Sequence, residues 1–308
     1  MIDNVKIYPL DKKQFDYQIE TKKPVDLLSV WDRSTGEMFE YPKKARYKNM
    51  EIRINKESSY VRGSLHKYYN MDVVGEEHNH NDFSFCQCKQ SIENLSNKFY
   101  LEPSNTKVTN LEFGMNLSLG YDPGIFINDS LLMYRFNAHT RHEDFKGRGD
   151  FKEFKKYSYS FKLYNKSKQF GLGEHILRIE VKITDKRKLS SIGIETLSDL
   201  TTKEAHYSLF AFLMEQYEQL VIVDSKEMRL ALMVPELNAG MQTYCNPNYW
   251  KALKEEVSYK VYQRHVRGFE DYGQEVGIFK TKEHISRLLL EKFNSLIHCN
   301  IISAQMVA

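Results

Sequence analysis

The motifs that would declare a common enzyme class are missing from this chain. There is no GxxxxGKS/T phosphate loop, which excludes an ATP-driven motor built on that loop. There is no nucleophile elbow and no zincin helix. Gly171-Leu172-Gly173 is too short for a dinucleotide-binding turn and reads as a hairpin turn. Cysteine is scarce, with four in 308 residues and no CxxC pair. Cys86 and Cys88 stand two apart in what alternation suggests is a strand, so they face opposite ways and a structural zinc site is not expected. No apolar run is long enough to cross a bilayer. The stretch Met1 to Lys13 is mixed and charged rather than a secretory leader. Free thiols without a leader predict a cytoplasmic protein with no membrane partner. Repeats and low-complexity tracts are also absent.

Net charge is low as well, at +3. The total therefore says little about nucleic acid, and distribution matters more. Between Arg141 and Lys168 there are nine Lys or Arg against four acids (Glu143, Asp144, Asp150, Glu153). A segment so basic would attract phosphate by releasing counterions, although a solvated basic loop has the same composition.

What is abundant is aromatic: twenty Tyr and eighteen Phe. Such residues favour strands and offer faces on which bases stack. Period-two alternation runs through Ile52 and Ile54, through Tyr60 to Leu65, and through Phe83 and Phe85. It is strictest in three segments: Leu111 to Leu119, Tyr157 to Leu163 and Leu177 to Ile183. Alternation of this kind predicts a sheet with one buried and one open face. The residues after 200 read as helical. Thr201 with Glu204 forms a capping-box pattern, Asn246-Pro247 a helix start followed by Trp250, Leu253, Val257 and Val261, and Thr281 opens a last helix. The expected fold is α+β: a mostly antiparallel, twisted sheet domain over 51–200, a separate segment over 1–50, and a helical region over 201–308. Lys251, Lys254, Lys260, Arg264 and Arg267 would let that last region recognise DNA.

Opposite the apolar residues of the three strict strands lie Glu112, Gly114, Asn116 and Ser118; then Ser158, Ser160, Lys162 and Tyr164; then Arg178, Glu180 and Lys182. Tyr157 and Tyr159 point the other way by the same count, into the core. The polar set suits phosphodiester transesterification. A tyrosine hydroxyl attacks phosphorus and stores the bond as phosphotyrosine. Carboxylates hold a divalent ion, and Lys or Arg neutralises developing charge. Periodicity alone is served at least as well by an ordinary polar solvent face.

The order of motifs adds to this. Tyr164-Asn165-Lys166 followed by Leu177-Arg178-Ile179-Glu180 resembles the paired elements of rolling-circle replication initiators of plasmids and filamentous phages. Upstream, Gly63-Ser64-Leu65-His66-Lys67, with Asn79 or Asn81, is similar to that family's glycine-serine element and its later asparagine. Leu111-Glu112-Phe113-Gly114 resembles the strand that contributes a carboxylate, and the likeness covers roughly Glu51 to Leu200. It implies nicking of a double-stranded origin with Mg²⁺ or Mn²⁺, a tyrosyl-DNA intermediate, and a free 3′ end. It implies Tyr164 as nucleophile, Lys166 and Arg178 as charge stabilisers, and Glu112, Glu180 and His66 as metal ligands. Lys67, Lys162, Lys168 and Lys182 would contact DNA. Host helicase, host polymerase and a second copy of the chain are the further partners it leaves open. His78-Asn79-His80 departs from the family's histidine-hydrophobe-histidine strand and reads as a polar turn. A non-catalytic DNA-binding regulator, a mobilisation relaxase and a structural protein of a mobile element stay open as alternatives.

Overall fold

A computed structural model describes residues 1–140, 149–224, 226–227, 233, 240 and 242–299. The basic residues Arg141, Lys146 and Arg148 of the charged segment lie outside the described residues. Nine strands form one sheet: β1 (Ile2–Pro9), β2 (Leu28–Trp31), β3 (Met38–Tyr47), β4 (Met50–Ile54), β5 (Ser59–Ser64), β6 (Thr106–Ser118), β8 (Phe151–Lys155), β9 (Tyr159–Asn165) and β10 (Ile176–Ile183). Their order is β2-β3-β4-β5-β1-β6-β10-β9-β8, and every pairing is antiparallel. A small second sheet pairs β7 (Leu131–Tyr134) with β11 (Leu220–Ile222). The α+β expectation holds, with a large antiparallel sheet and helices concentrated toward the C-terminus.

The apolar side of β6 carries Leu111, Phe113, Met115 and Leu117, all 1% exposed or less. Against it lie the helices α6 (Lys203–Glu218) and α9 (Lys280–Ile297), with α3 (Phe85–Phe99) packed on α9. Burying these faces is the main source of stability. A second apolar cluster around Trp250, Leu253, Phe269 and Ile278 joins the small sheet to α7 (Pro247–Glu256) and α8 (Tyr259–Val276). Further helices among the described residues include α1 (Lys12–Lys22), α2 (Leu65–Val73), α4 (Lys166–Phe170) and α5 (Lys186–Ser191).

Several local expectations are corrected. Phe83 and Phe85 do not form a strand: Ser84 and Gln87 make a reciprocal capping box that starts α3, a stronger signal than two alternating aromatics. Cys86 and Cys88 therefore lie on a helix. Cys86 is disulfide-bonded to Cys299, which overturns the reading of four free thiols and removes that support for a cytoplasmic location. Tyr157 precedes β9 and is 91% exposed, and the Tyr159 hydroxyl meets Tyr134 and Gln216. Thr202, not Thr201, caps α6. The helix begun at Pro247 ends at Glu256, so Val257 and Val261 do not extend its face. Gly171 is the left-handed C-cap of α4 rather than part of a tight hairpin. No helix among the described residues is long and apolar enough to cross a membrane.

Candidate active site

The three strict strands are neighbours, and their register makes the cleft. Glu180 on β10 stands opposite Gly114 on β6 and Lys162 on β9. Arg178 stands opposite Asn116 and Tyr164, and Lys182 opposite Glu112 and Ser160. Directly opposed residues of antiparallel strands share a face, so the polar set converges. That face is not open to solvent as the alternation suggested. Glu112, Arg178 and Glu180 are 6%, 2% and 3% exposed. The cover is the chain between α2 and α3, held down by Asn116. Its Nδ2 lies within hydrogen-bonding distance of the backbone carbonyls of Asn79, His80 and Asn81 (3.3, 3.0 and 3.0 Å).

A fourth strand contributes the residue that the sequence did not announce. In β1, Ile2 pairs with Phe113 and Val5 with Leu111, so Asp3 and Asn4 together oppose Glu112 across an irregular register. Bulges of this kind re-aim side chains. Here the Asn4 Nδ2 donates to Glu112 Oε2 at 2.5 Å, and Asp3 turns into the cleft, accepting from the Ser64 hydroxyl. Asp3, Glu112 and Glu180 are all buried, and one oxygen from each lies within 4.8 Å of the others. Three hard oxygen donors on three adjoining strands suit Mg²⁺ or Mn²⁺ by donor type.

The cationic side chains interleave with these acids. Lys162 Nζ lies 3.1 Å from Glu180 Oε1 and 3.4 Å from Glu112 Oε1, and Lys182 Nζ lies 2.9 Å from Glu112 Oε1. Arg178 donates from Nε to Glu180 Oε2 at 3.0 Å and from Nη1 to Asn116 Oδ1 at 3.2 Å. Its Nη2 is 3.7 Å from Asp3 Oδ2 and has no hydrogen-bond acceptor among the described residues. Lys166 Nζ donates to Asn79 Oδ1 at 2.7 Å, and Asn79 Nδ2 donates to Asp3 Oδ2 at 2.7 Å. One buried amide thus ties the Lys166 ammonium to the Asp3 carboxylate.

Burial opposes the charge on Glu180, yet Lys162, Arg178 and Lys166 outweigh it and hold the carboxyl at about 2. Lys166 goes the other way: burial and then Arg178 lower it to about 8. Burial and the charge of Glu180 raise the Tyr164 hydroxyl well above its usual value. That hydroxyl lies 3.4 Å from Glu180 Oε2, a long contact.

Of the residues singled out in the sequence, Glu112, Lys162, Tyr164, Lys166, Glu180 and Lys182 all line one cleft of about 630 Å³, with Arg178 buried against it. Lys67 is on the rim and pairs with Glu77. His66 does not join the carboxylates. Its Nε2 is 2.7 Å from Asn81 Oδ1, its ring stacks on Phe83, and burial with nearby positive charge pushes its pKa well below the usual value. Lys168 lies apart, exposed, paired with Asp150. His78 and His80 stack on each other in the covering loop.

No family model matches the sequence, and no curated protein matches it. Among solved structures the chain is similar to the rolling circle replication initiator protein from Geobacillus stearothermophilus. The identity is 10%, the match covers 65% of this chain and 78% of that one, and the TM-score is 0.36. At that level the likeness bears on no residue of the cleft.

Proposed function

We propose that this chain is a replication initiator that nicks one strand of a plasmid or phage origin through Tyr164. The observation that carries this reading is the meeting of a tyrosine hydroxyl, three buried carboxylates and a buried arginine in one cleft. The motif order of Tyr164-Asn165-Lys166 and Leu177-Arg178-Ile179-Glu180 supports it independently.

In this reading the Tyr164 oxygen attacks a backbone phosphorus, the 3′ oxygen leaves, and the 5′ side of the nick stays on the enzyme as phosphotyrosine. Arg178, whose Nη2 has a donor to spare, takes a phosphate oxygen and offsets the charge that develops there. Lys166, whose ammonium lies over the Tyr164 ring, supplies a second cation. Glu180 orients the phenol and relays its proton toward the leaving 3′ oxygen, and its own ion pairs keep it from holding that proton. A divalent ion held by Asp3, Glu112 and Glu180 would polarise the phosphate and offset the negative charge that holds the phenol protonated. Arg46, Lys67, Lys155 and Lys182 on the cleft lining steer the strand inward. The exposed Lys251, Lys254, Lys260, Arg264 and Arg267 of α7 and α8 serve origin recognition, and the freed 3′ end passes to host helicase and polymerase.

A non-catalytic DNA-binding regulator is the second reading. It is favoured by the raised pKa of Tyr164 and by the resident ion pairs among the carboxylates. The two separate in one experiment. Protein and Mn²⁺ are incubated with a labelled single strand from the replicon's own origin and resolved on a denaturing gel. A covalent adduct that vanishes in Tyr164→Phe supports nicking through Tyr164. An adduct that survives the substitution moves the nucleophile elsewhere, and tight binding with no adduct favours the regulator.

A further inference from the structure

Lys162 sits where an ion bridging the Oε1 atoms of Glu112 and Glu180 would sit. Its Nζ is 3.1 Å from Glu180 Oε1 and 3.4 Å from Glu112 Oε1, and the side chain is only 16% exposed. Metal–oxygen bonds of the hard divalent ions are about 2.0–2.6 Å long. An ion bound to the same oxygens would therefore lie against the ammonium. Two cations in contact at a partly buried site repel strongly. Lys162 and the ion cannot occupy the carboxylates together.

The sheet provides a second place for the ammonium. Lys162 is opposed across β9–β10 by Glu180 and across β8–β9 by Glu153, so the same row of the sheet reads Glu153, Lys162, Glu180, Gly114. Glu153 is 5% exposed, lines the same cleft, and its negative charge already acts on Lys162. The lysine stem is long and flexible enough to reach either carboxylate of its row. Lys182, the other partner of Glu112, is 40% exposed and can turn to water. Without the ammonium, Glu112 would keep only the partly exposed Lys182 and Glu180 only Arg178 against the mutual repulsion of three carboxylates gathered within 4.8 Å.

We propose that Lys162 is a gate for the metal: it neutralises Glu112 and Glu180 in the empty cleft and withdraws toward Glu153 when a divalent ion enters. This rests on the metal-dependent reading above and adds how the site is loaded. Three consequences separate it from a fixed structural ion pair. Removing the ammonium strengthens ion binding. Removing the withdrawal site weakens it. The second effect disappears once the lysine is gone.

The test is calorimetric titration of Mn²⁺ into the full chain without DNA, on wild type, Lys162→Met, Glu153→Gln and the double variant. Lys162→Met should bind Mn²⁺ about 10-fold or more tightly than wild type, a conservative figure for relief of cation repulsion at contact distance. Glu153→Gln should bind several-fold more weakly, and the double variant should match Lys162→Met. Thermal melts with and without Mn²⁺ accompany each titration. If Lys162→Met is less stable when empty, Mn²⁺ should raise its melting temperature by more than it raises that of wild type. Equal Mn²⁺ affinity in wild type and Lys162→Met would overturn the gate while leaving the metal site standing. No Mn²⁺ binding by any of the four proteins would remove the metal-dependent reading and the gate with it.

Discussion

Gly114 faces Glu180 across the β6–β10 ladder with no room for a side chain. A Cβ at position 114 would lie 2.4 Å from the Glu180 Cβ and 2.4 Å from the Ile179 carbonyl oxygen. Neither is the far end of a flexible chain, so the strand must move. Gly114→Ala should destabilise the protein by about 1–3 kcal/mol, the usual cost of overpacking. It should also displace Glu180 and reduce adduct formation. Gly120→Ala is the control, since a Cβ there meets nothing within 4 Å. Urea unfolding of both checks the point; equal stability in the two variants would mean that β10 yields without cost.

Arg178 is 2% exposed and serves Glu180, Asn116 and Asp3 at once. Arg178→Met should cost about 3–5 kcal/mol, because a buried carboxylate left without its partner is far more costly than the pair itself. Arg178→Lys keeps the charge but loses the planar fork that reaches Glu180 and Asn116 together. It should fall between wild type and Arg178→Met. The double variant Arg178→Met with Glu180→Gln should be less destabilised than the two single losses added, which a double-mutant cycle in urea measures.

The lowered pKa of Lys166 fixes the sign of a pH dependence. Folded, the group titrates at about 8; unfolded, it returns to its usual 10.5. Between those values this group binds more protons in the unfolded chain than in the folded one, so its contribution to stability rises with pH across that window and is lowest below 8. Lys152, also lowered to about 8 by burial, acts in the same window with the same sign. Lys166→Met should therefore reduce the slope of unfolding free energy between pH 8 and 9, below the range where the buried thiols of Cys88 and Cys245, raised to about 12 and 11, act with the opposite sign. Melting curves at several pH values across that window report the slope. An unchanged slope in Lys166→Met would show that the ammonium is not desolvated in the fold.

The strands β6, β9 and β10 were legible because each alternates without interruption, and the register then brings Glu112, Tyr164, Arg178 and Glu180 together as the alternation implied. Their burial was not legible. It depends on Asn116 gripping a loop far away in sequence, a contact with no periodic trace. Asp3 escaped for a related reason. The irregular register at Asp3 and Asn4 breaks the period of β1, so a central strand reads only as a mixed, charged stretch. Asn79 was visible only through the family resemblance, which left Asn81 as its equal. The structure gives them different tasks: Asn79 joins Lys166 to Asp3, while Asn81 holds His66. Phe83 and Phe85 misled because two alternating aromatics are a weaker signal than the Ser84–Gln87 capping box laid over them.

That misreading carried the cysteines with it, and they give a direct measurement. Cys86 at the start of α3 is bonded to Cys299 just beyond α9, while Cys88 and Cys245 are free. Lys292 of α9 also holds Asp82 in the loop that covers the cleft, so two links fasten the last helix beside the cover. Thiol titration of protein unfolded without reductant should find two reactive thiols, rising to four after reduction. Reduction or Cys299→Ser should lower stability by about 2–4 kcal/mol, since the bond closes a long loop in the unfolded chain. Four thiols before reduction would mean that α9 is held by packing and the Lys292–Asp82 pair alone. Cys299→Ser should then leave the unfolding free energy unchanged.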